Sequence, residues 1–247
     1  MGGRTYRLTV SYDGTRYRGW QRLPDADLTV QGKIEATLTK IFSEPIEISG
    51  SGRTDAGVHA SGQVASFRAP EREPSQVLSE LRRLLPADIG AEALEFAPDR
   101  FHARLCATEK TYVYRIWNSE APDVFERRYR LQFPQKLDLD AMRRGAELLT
   151  GTHDFLAFCS NKHFKKSSVR TLRRAELVQS GDELQIILSA DGFLYNMARI
   201  LVGTLLEIGT GRRKPEEIPA IFESRVRENA GETAPAKGLC LTEVRYE

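Results

Sequence analysis

Tyr6, Leu8, Val10 and Tyr12 are apolar at every second position, with Arg7, Thr9 and Ser11 between them. This alternation predicts a strand over roughly residues 5–12 with one face buried. The period then changes. Val30, Ile34, Leu38, Ile41 and Phe42 fall on one side of a helix that Thr29 can cap. Ile46 and Ile48 begin a second strand, and Gln63 to Phe67 reads as a third. Ser75 can cap a helix with Val77, Leu81, Leu84 and Leu85 inward, stopped by Pro86, and Ile89 to Phe96 completes a fourth strand. The order is βαββαβ, the split pattern of ferredoxin-like domains.

The second half repeats it. Tyr112, Tyr114 and Ile116 alternate in a strand. Asp138 or Asp140 can open a helix with Leu139, Met142, Ala146 and Leu149 inward, closed near Gly151. Thr171 to Val178 and Glu183 to Leu188 flank Ser180-Gly181-Asp182, a hairpin signal. Met197, Ile200, Leu201, Thr204, Leu205 and Ile208 mark the most clearly periodic helix, ending at Gly209. A short helix follows Pro215, and Leu239 and Leu241 lie in the last strand. The expected class is α+β: two ferredoxin-like halves, residues 1–105 and 106–247, forming a largely antiparallel sheet flanked by helices. No low-complexity linker separates the halves, so one continuous body is expected. Such halves serve enzymes and binding modules alike, so the fold does not choose a function.

Composition narrows the class only slightly. With 247 residues, 40% hydrophobic and 28% charged, the chain reads as a globular protein with one large or two small domains. No apolar stretch approaches the ~20 residues that span a bilayer. Met1-Gly2-Gly3-Arg4 leads directly into the strand pattern, without the apolar core of a signal peptide. Cys106, Cys159 and Cys240 are far apart and form no CxxC pair, and the four histidines have no HExxH-like spacing. No disulfide framework or metal site is expected, and a cytoplasmic location fits. Net charge is only +2, but its distribution is uneven. Lys162, His163, Lys165, Lys166, Arg170, Arg173 and Arg174 occur with no acid among them. Arg16, Arg18 and Arg22 cluster with Tyr17 and Trp20, and Arg127, Arg128 and Arg130 with Tyr129. Cations interleaved with aromatics suit phosphate contacts and base stacking; each cluster equally suits a solvated face.

The densest candidate chemistry is Gly52-Arg53-Thr54-Asp55-Ala56-Gly57-Val58-His59-Ala60, a polar loop between strand-like segments. A carboxylate two residues from a guanidinium can be held ionised, as a nucleophile or base requires. A surface turn with a local ion pair uses the same residue types. Further segments stand out: Phe101-His102-Ala103-Arg104, Tyr112-Val113-Tyr114, and Gly192-Phe193-Leu194-Tyr195-Asn196-Met197-Ala198-Arg199. Arg199 at a helix start opposes the helix dipole, a small cost that a buried anion would offset.

The Gly52–Ala60 run, followed by Gly62-Gln63-Val64 and Phe67, resembles the catalytic loop of the TruA family of tRNA pseudouridine synthases. The resemblance extends along nearly the whole chain, through Thr29-Val30-Gln31-Gly32, the Phe101–Arg104 run, His153-Asp154-Phe155, Arg170-Thr171, the Gly192–Met197 segment and Gly238-Leu239. It implies isomerisation of uridine to pseudouridine at positions 38 to 40 of the tRNA anticodon stem-loop. It also implies a homodimer that takes tRNA from both subunits, and no metal or organic cofactor. Position by position, Asp55 resembles the catalytic aspartate, Arg199 its basic partner and Tyr112 the ring that stacks on the target base. Arg53 is implied to contact RNA phosphate or orient the loop, and Phe193 or Leu194 to wall the pocket. Lys165, Lys166 and Arg173 are candidate phosphate contacts.

Two other classes use parts of this pattern. A non-catalytic RNA-binding protein would carry exposed aromatics on a strand, and Tyr112 and Tyr114 can mimic them, although no run such as Lys-Gly-Phe-Gly-Phe-Val is present. An aspartate-dependent hydrolase acting on a phosphate or glycoside would need a second carboxylate, with Asp191 the distant candidate.

Overall fold

The computed structural model describes residues 3–24, 28–161 and 165–246. Met1, Gly2, Lys162 and His163 lie outside the described residues. The chain divides into two compact units, residues 1–108 with 240–247, and residues 109–239.

The first unit holds β1 (Arg4–Tyr12), α1 (Val30–Phe42), β2 (Ser49–Gly50), β3 (His59–Ala69), α2 (Pro74–Leu84) and β4 (Ile89–Phe96). β1 lies between β3 and β4, and β2 pairs with β3, all antiparallel. This is the expected ferredoxin-like order. Alternation carries it: Tyr6, Leu8 and Val10 are wholly buried, as are Val30, Ile34 and Leu38 of α1. Thr29 caps α1 by accepting the Gly32 N–H at 3.3 Å.

The first unit departs from the expected pattern at its second strand and second helix. Ile46 and Ile48 are buried, yet the second strand is only Ser49–Gly50. Their backbone turns to side chains of α1 instead: Ile46 N–H donates to Thr39 Oγ1 (3.3 Å) and Ile48 N–H to Glu35 Oε1 (3.0 Å), while Gln31 Nε2 donates to Ile48 O (3.1 Å). Glu73, not Ser75, occupies the N-cap position of α2 and makes no side-chain cap bond; Pro74 takes the first helical position, where its fixed φ and missing N–H cost nothing. Leu84 is exposed rather than inward.

The second unit holds β5 (Glu109–Trp117), β6 (Leu131–Gln132), α3 (Leu139–Leu149), β7 (Gly151–Asp154), β8 (Val169–Ser180), β9 (Glu183–Ala190), α4 (Met197–Gly209) and α5 (Ile218–Ser224). β5 pairs antiparallel with β9, β9 with β8 and β8 with β7, while β6 runs parallel to β5. Asp138 caps α3 by accepting the Ala141 N–H at 2.9 Å. α3 packs on β8 and on α4, whose interior turns are wholly buried. The last strand, β10 (Leu239–Arg245), belongs to the first unit, where Cys240 and Leu241 run parallel to His59 and Ala60 of β3. The sequence pattern placed it with the second half, because local alternation does not encode a strand's partner.

The clusters of cations with aromatics are largely structural. Tyr17 and Trp20 are buried rather than available for stacking. Arg16 meets Asp88 at 2.5 Å, Tyr17 donates to the same carboxylate at 2.7 Å, and Arg22 meets buried Glu35 at 3.0 Å. In the second unit Arg130 meets Asp123 and Glu183, each at 2.7 Å, and Arg115 meets Glu183 at 2.7 Å.

The Arg115 hydrogen bonds hold the Glu183 carboxyl below its ordinary 4.5, against burial, which pushes it up. A carboxyl lowered in the folded state stabilises above its unfolded value and loses that contribution as pH falls through the folded one. The urea midpoint of wild type should therefore exceed that of Glu183→Gln by a constant amount from pH 7 to about 5, with the gap closing below about 4.5. A gap unchanged at pH 3 would mean that the ionised pair contributes nothing.

Candidate functional site

In the first unit the Asp55 loop joins β2 to β3 and is gripped by segments distant in sequence. Trp20 N–H donates to Thr54 O at 3.0 Å, and Val58 N–H closes the loop onto Asp55 O at 3.1 Å. The Tyr12 hydroxyl bonds Thr54 Oγ1 at 2.8 Å in a buried setting. Burial pushes the Tyr12 phenol up, against the opposing hydrogen bonds of Thr54 and Gln63, so it stays a neutral hydroxyl.

Gln63 is the second clamp. It is wholly buried; its Oε1 accepts from Ser51 Oγ at 2.6 Å and its Nε2 donates to Gly52 O at 3.0 Å. Gly19 makes the third contact, with φ +96 and a position from which a Cβ would lie 2.7 Å from Thr54 O. Beyond the loop, Nδ1 of buried His59 lies 3.0 Å from the Gly14 N–H, which donates to it, and 3.3 Å from Asp13 Oδ1.

Asp55 is therefore a half-buried carboxylate whose flanking residues have little freedom. Arg53, exposed, donates through Nε to Gln21 Oε1 at 3.0 Å. Sequence reasoning assigned no role to Tyr12, Thr54, Gly19 or Gln63. Tyr12 looks like an ordinary strand position, and Gln63 falls in the matched Gly62-Gln63-Val64 run without a role of its own; burial of their polar ends marks both out.

The other matched segments of this unit are structural. Thr29 caps α1, Gln31 Oε1 accepts the Arg22 N–H at 3.0 Å, and a Cβ on Gly32 would lie 2.9 Å from Thr29 Oγ1. Ala103 is wholly buried, donating to Ser66 Oγ (3.0 Å) and accepting from the Tyr246 hydroxyl (2.8 Å).

In the second unit, Tyr112 on β5 and Phe193 meet edge to face, ring centroids 5.0 Å apart at 82°. Tyr112 and Tyr114 are both buried, so β5 presents no exposed pair of stacking rings of the RNP kind. Leu194 is buried, and Asn196 turns the chain in the left-handed conformation, φ +61, immediately before α4. Arg199, on the first turn of α4, is held by its own unit: Nε donates to Ala234 O (2.7 Å) and Nη1 to Asn196 Oδ1 (3.2 Å). That orientation fixes a guanidinium rather than leaving a mobile surface cation.

Of the basic candidates, Lys165 and Lys166 are exposed, and Arg173 sits at a β8 irregularity and meets Glu109 Oε2 at 3.3 Å. Asp191, the distant second-carboxylate candidate, accepts the Thr171 N–H at 3.1 Å. Asp154 of the His153-Asp154-Phe155 segment caps the 3-10 turn Phe155–Phe158 and accepts from Ser168 Oγ at 2.5 Å. Among the described residues no group of His, Cys, Asp and Glu gathers as a metal cluster, and no helix is long and apolar enough to cross a membrane.

The Tyr12 contact carries a prediction. Tyr12→Phe removes one hydroxyl and strands Thr54 Oγ1, costing about 1–2 kcal/mol of stability. If the contact also aligns the Asp55 loop, turnover should fall about tenfold with KM for substrate RNA unchanged. A less stable variant with wild-type turnover would make Tyr12 a core residue only.

Comparison with known proteins agrees with the residue pattern. A family model described as tRNA pseudouridine synthase matches residues 8–104 and 146–247. A "tRNA pseudouridine synthase A" from Moorella thermoacetica is 50% identical over 243 residues, covering 97% of this chain and 98% of its own. Another from a Bacillus species is 45% identical over 242 residues, covering 98% and 99%. One from Caldicellulosiruptor bescii is 42% identical over 244 residues, covering 98% and 100%. The chain belongs to the tRNA pseudouridine synthase family, isomerases that convert uridine to pseudouridine.

Proposed function

We propose that the chain isomerises uridine to pseudouridine at positions 38 to 40 of the tRNA anticodon stem-loop, with Asp55 as its nucleophile or base. The observation that carries this is the half-buried Asp55 carboxylate on a loop clamped by Tyr12, Trp20 and Gln63, within a family of tRNA pseudouridine synthases. The reaction breaks the bond from ribose C1′ to N1 and forms one from C1′ to C5. C5 gives up a proton and N1 gains one, so no second substrate is consumed.

The carboxylate either attacks C1′ or removes the 2′ proton to give a glycal. In either case the nucleotide must leave its stack to expose the glycosidic bond, and the freed base must rotate without escaping. We assign the stacking ring to Tyr112, braced by Phe193, and an apolar wall to Leu194. Arg199 is the proposed basic partner of the carboxylate; a nearby guanidinium favours the ionised form. Arg53 is the proposed contact to RNA beside the reacting nucleotide, and Lys165, Lys166 and Arg173 are further proposed phosphate contacts. The working form proposed is a cytoplasmic homodimer that uses no metal or organic cofactor.

The test is incubation with unmodified tRNA carrying uridine at 38, 39 and 40, followed by carbodiimide-dependent primer extension. Stops confined to those positions, with no change in RNA mass, are expected. Stops elsewhere would overturn the site assignment, and binding without product would favour a non-catalytic RNA-binding protein.

A further inference from the structure

Residues 118–130 connect β5 to β6 in the second unit, and their interior is built from ions. Asp123 Oδ1 accepts the N–H groups of Phe125 (3.2 Å) and Glu126 (3.1 Å), while its Oδ2 meets Arg130 at 2.7 Å. Arg130 continues to Glu183 at 2.7 Å and lies 5.3 Å over the Trp117 ring. Arg115 bridges Glu183 (2.7 Å) and Glu126 (3.0 Å), and Trp117 Nε1 donates to Ala121 O at 2.8 Å. The Arg130, Glu183 and Asp123 side chains are only 14%, 15% and 18% exposed. Desolvating several charges is costly, and what such a network specifies is one geometry.

That geometry holds an apolar tip in solvent. Phe125 is 89% exposed and Val124 53%. Arg127 and Arg128, beside them, are exposed, and Arg127 Nη1 folds over the tip to Val124 O at 2.6 Å. The acid of the tip, Glu126, is turned to Arg115. The outward chemistry is thus one aromatic ring with two guanidiniums. A second copy of the chain would have to supply both an apolar socket and acids. A nucleotide strand supplies a base face and flanking phosphates in a single repeat, the combination that such platforms bind.

We propose that the Val124–Arg128 tip is a tRNA contact, in which Phe125 stacks on an unpaired base and Arg127 and Arg128 meet the adjoining phosphates. This rests on the reading of the chain as a tRNA-modifying enzyme. The tip positions and selects RNA; it takes no part in the isomerisation.

The test uses the full chain and unmodified tRNA at fixed salt. Phe125→Ala should weaken tRNA binding about tenfold, with turnover at saturating RNA and thermal midpoint unchanged, while Phe125→Tyr, which keeps a stacking face, should bind within about twofold of wild type. Arg127→Gln should reduce the slope of log affinity against log salt by about 0.9, one phosphate contact. Unchanged tRNA affinity in Phe125→Ala would overturn the proposal. So would sedimentation showing that Phe125→Ala breaks an oligomer, because the tip would then be a self-association surface. Binding is read independently of turnover: a wild type that binds tRNA but makes no pseudouridine would sink the enzymatic reading and leave this contact standing.

Discussion

Asp55→Asn is expected to abolish pseudouridine formation while leaving tRNA binding within a few fold of wild type. Asparagine keeps the size of the side chain and most of its hydrogen-bonding capacity, so the clamps from Tyr12, Trp20 and Gln63 to the neighbouring residues remain in place. What is lost is the negative charge. A neutral amide can neither attack C1′ nor accept the 2′ proton, and positioning alone cannot replace either step. The rate should fall at least about a thousandfold, roughly 4 kcal/mol of barrier. Single-turnover kinetics on unmodified tRNA, with binding measured separately, would read both quantities. A turn residue outside the chemistry would behave differently, since its replacement would change stability by only about 0.5 kcal/mol and leave the rate alone. An Asp55→Asn enzyme retaining more than a tenth of wild-type turnover would overturn the assignment of this carboxylate.

The parts of the fold legible in the sequence are those where a single periodicity decides the outcome. Ile89–Phe96 is a strand with the expected bounds, and the helix ending at Gly209 is α4. The strand buries Ile89, Ala91 and Leu94, and the helix buries every residue but Arg199 and Glu207. The illegible parts are those where a backbone group found a side-chain partner. Ile46 and Ile48 alternate as a strand does, but Thr39, Glu35 and Gln31 take their hydrogen bonds. Tyr17 and Trp20 sit among arginines in the sequence and resemble a stacking platform, yet both rings are core. The chemical run around Asp55 was visible because it is contiguous. Its supports were not, because Tyr12, Gly19 and Gln63 reach the loop from separate segments through a few specific contacts, and no periodicity records such a contact.

Gly19 is the support whose loss should be felt most. It combines a positive φ of +96 with an approach so close that a Cβ would lie 2.7 Å from Thr54 O and 3.3 Å from Ala56 N. An alanine there would carry the strain of a left-handed backbone, of order 1–3 kcal/mol. It would also have to push the peptide on either side of Asp55 outward. Those atoms are backbone, so no side-chain rotation relieves the clash. A displacement near 1 Å at a reacting group costs about a hundredfold in rate, so Gly19→Ala should lower turnover roughly 10- to 100-fold as well as the thermal midpoint.

Gly211 separates the two causes. It has φ +74 but no atom within 4 Å of its would-be Cβ, so Gly211→Ala bears backbone strain without a clash. Gly211→Ala should lose stability and keep its turnover once folded, whereas Gly19→Ala should lose both. Turnover falling equally in the two variants would show that general destabilisation accounts for the loss, and wild-type turnover in Gly19→Ala would mean that the close approach to Thr54 does not govern where Asp55 sits.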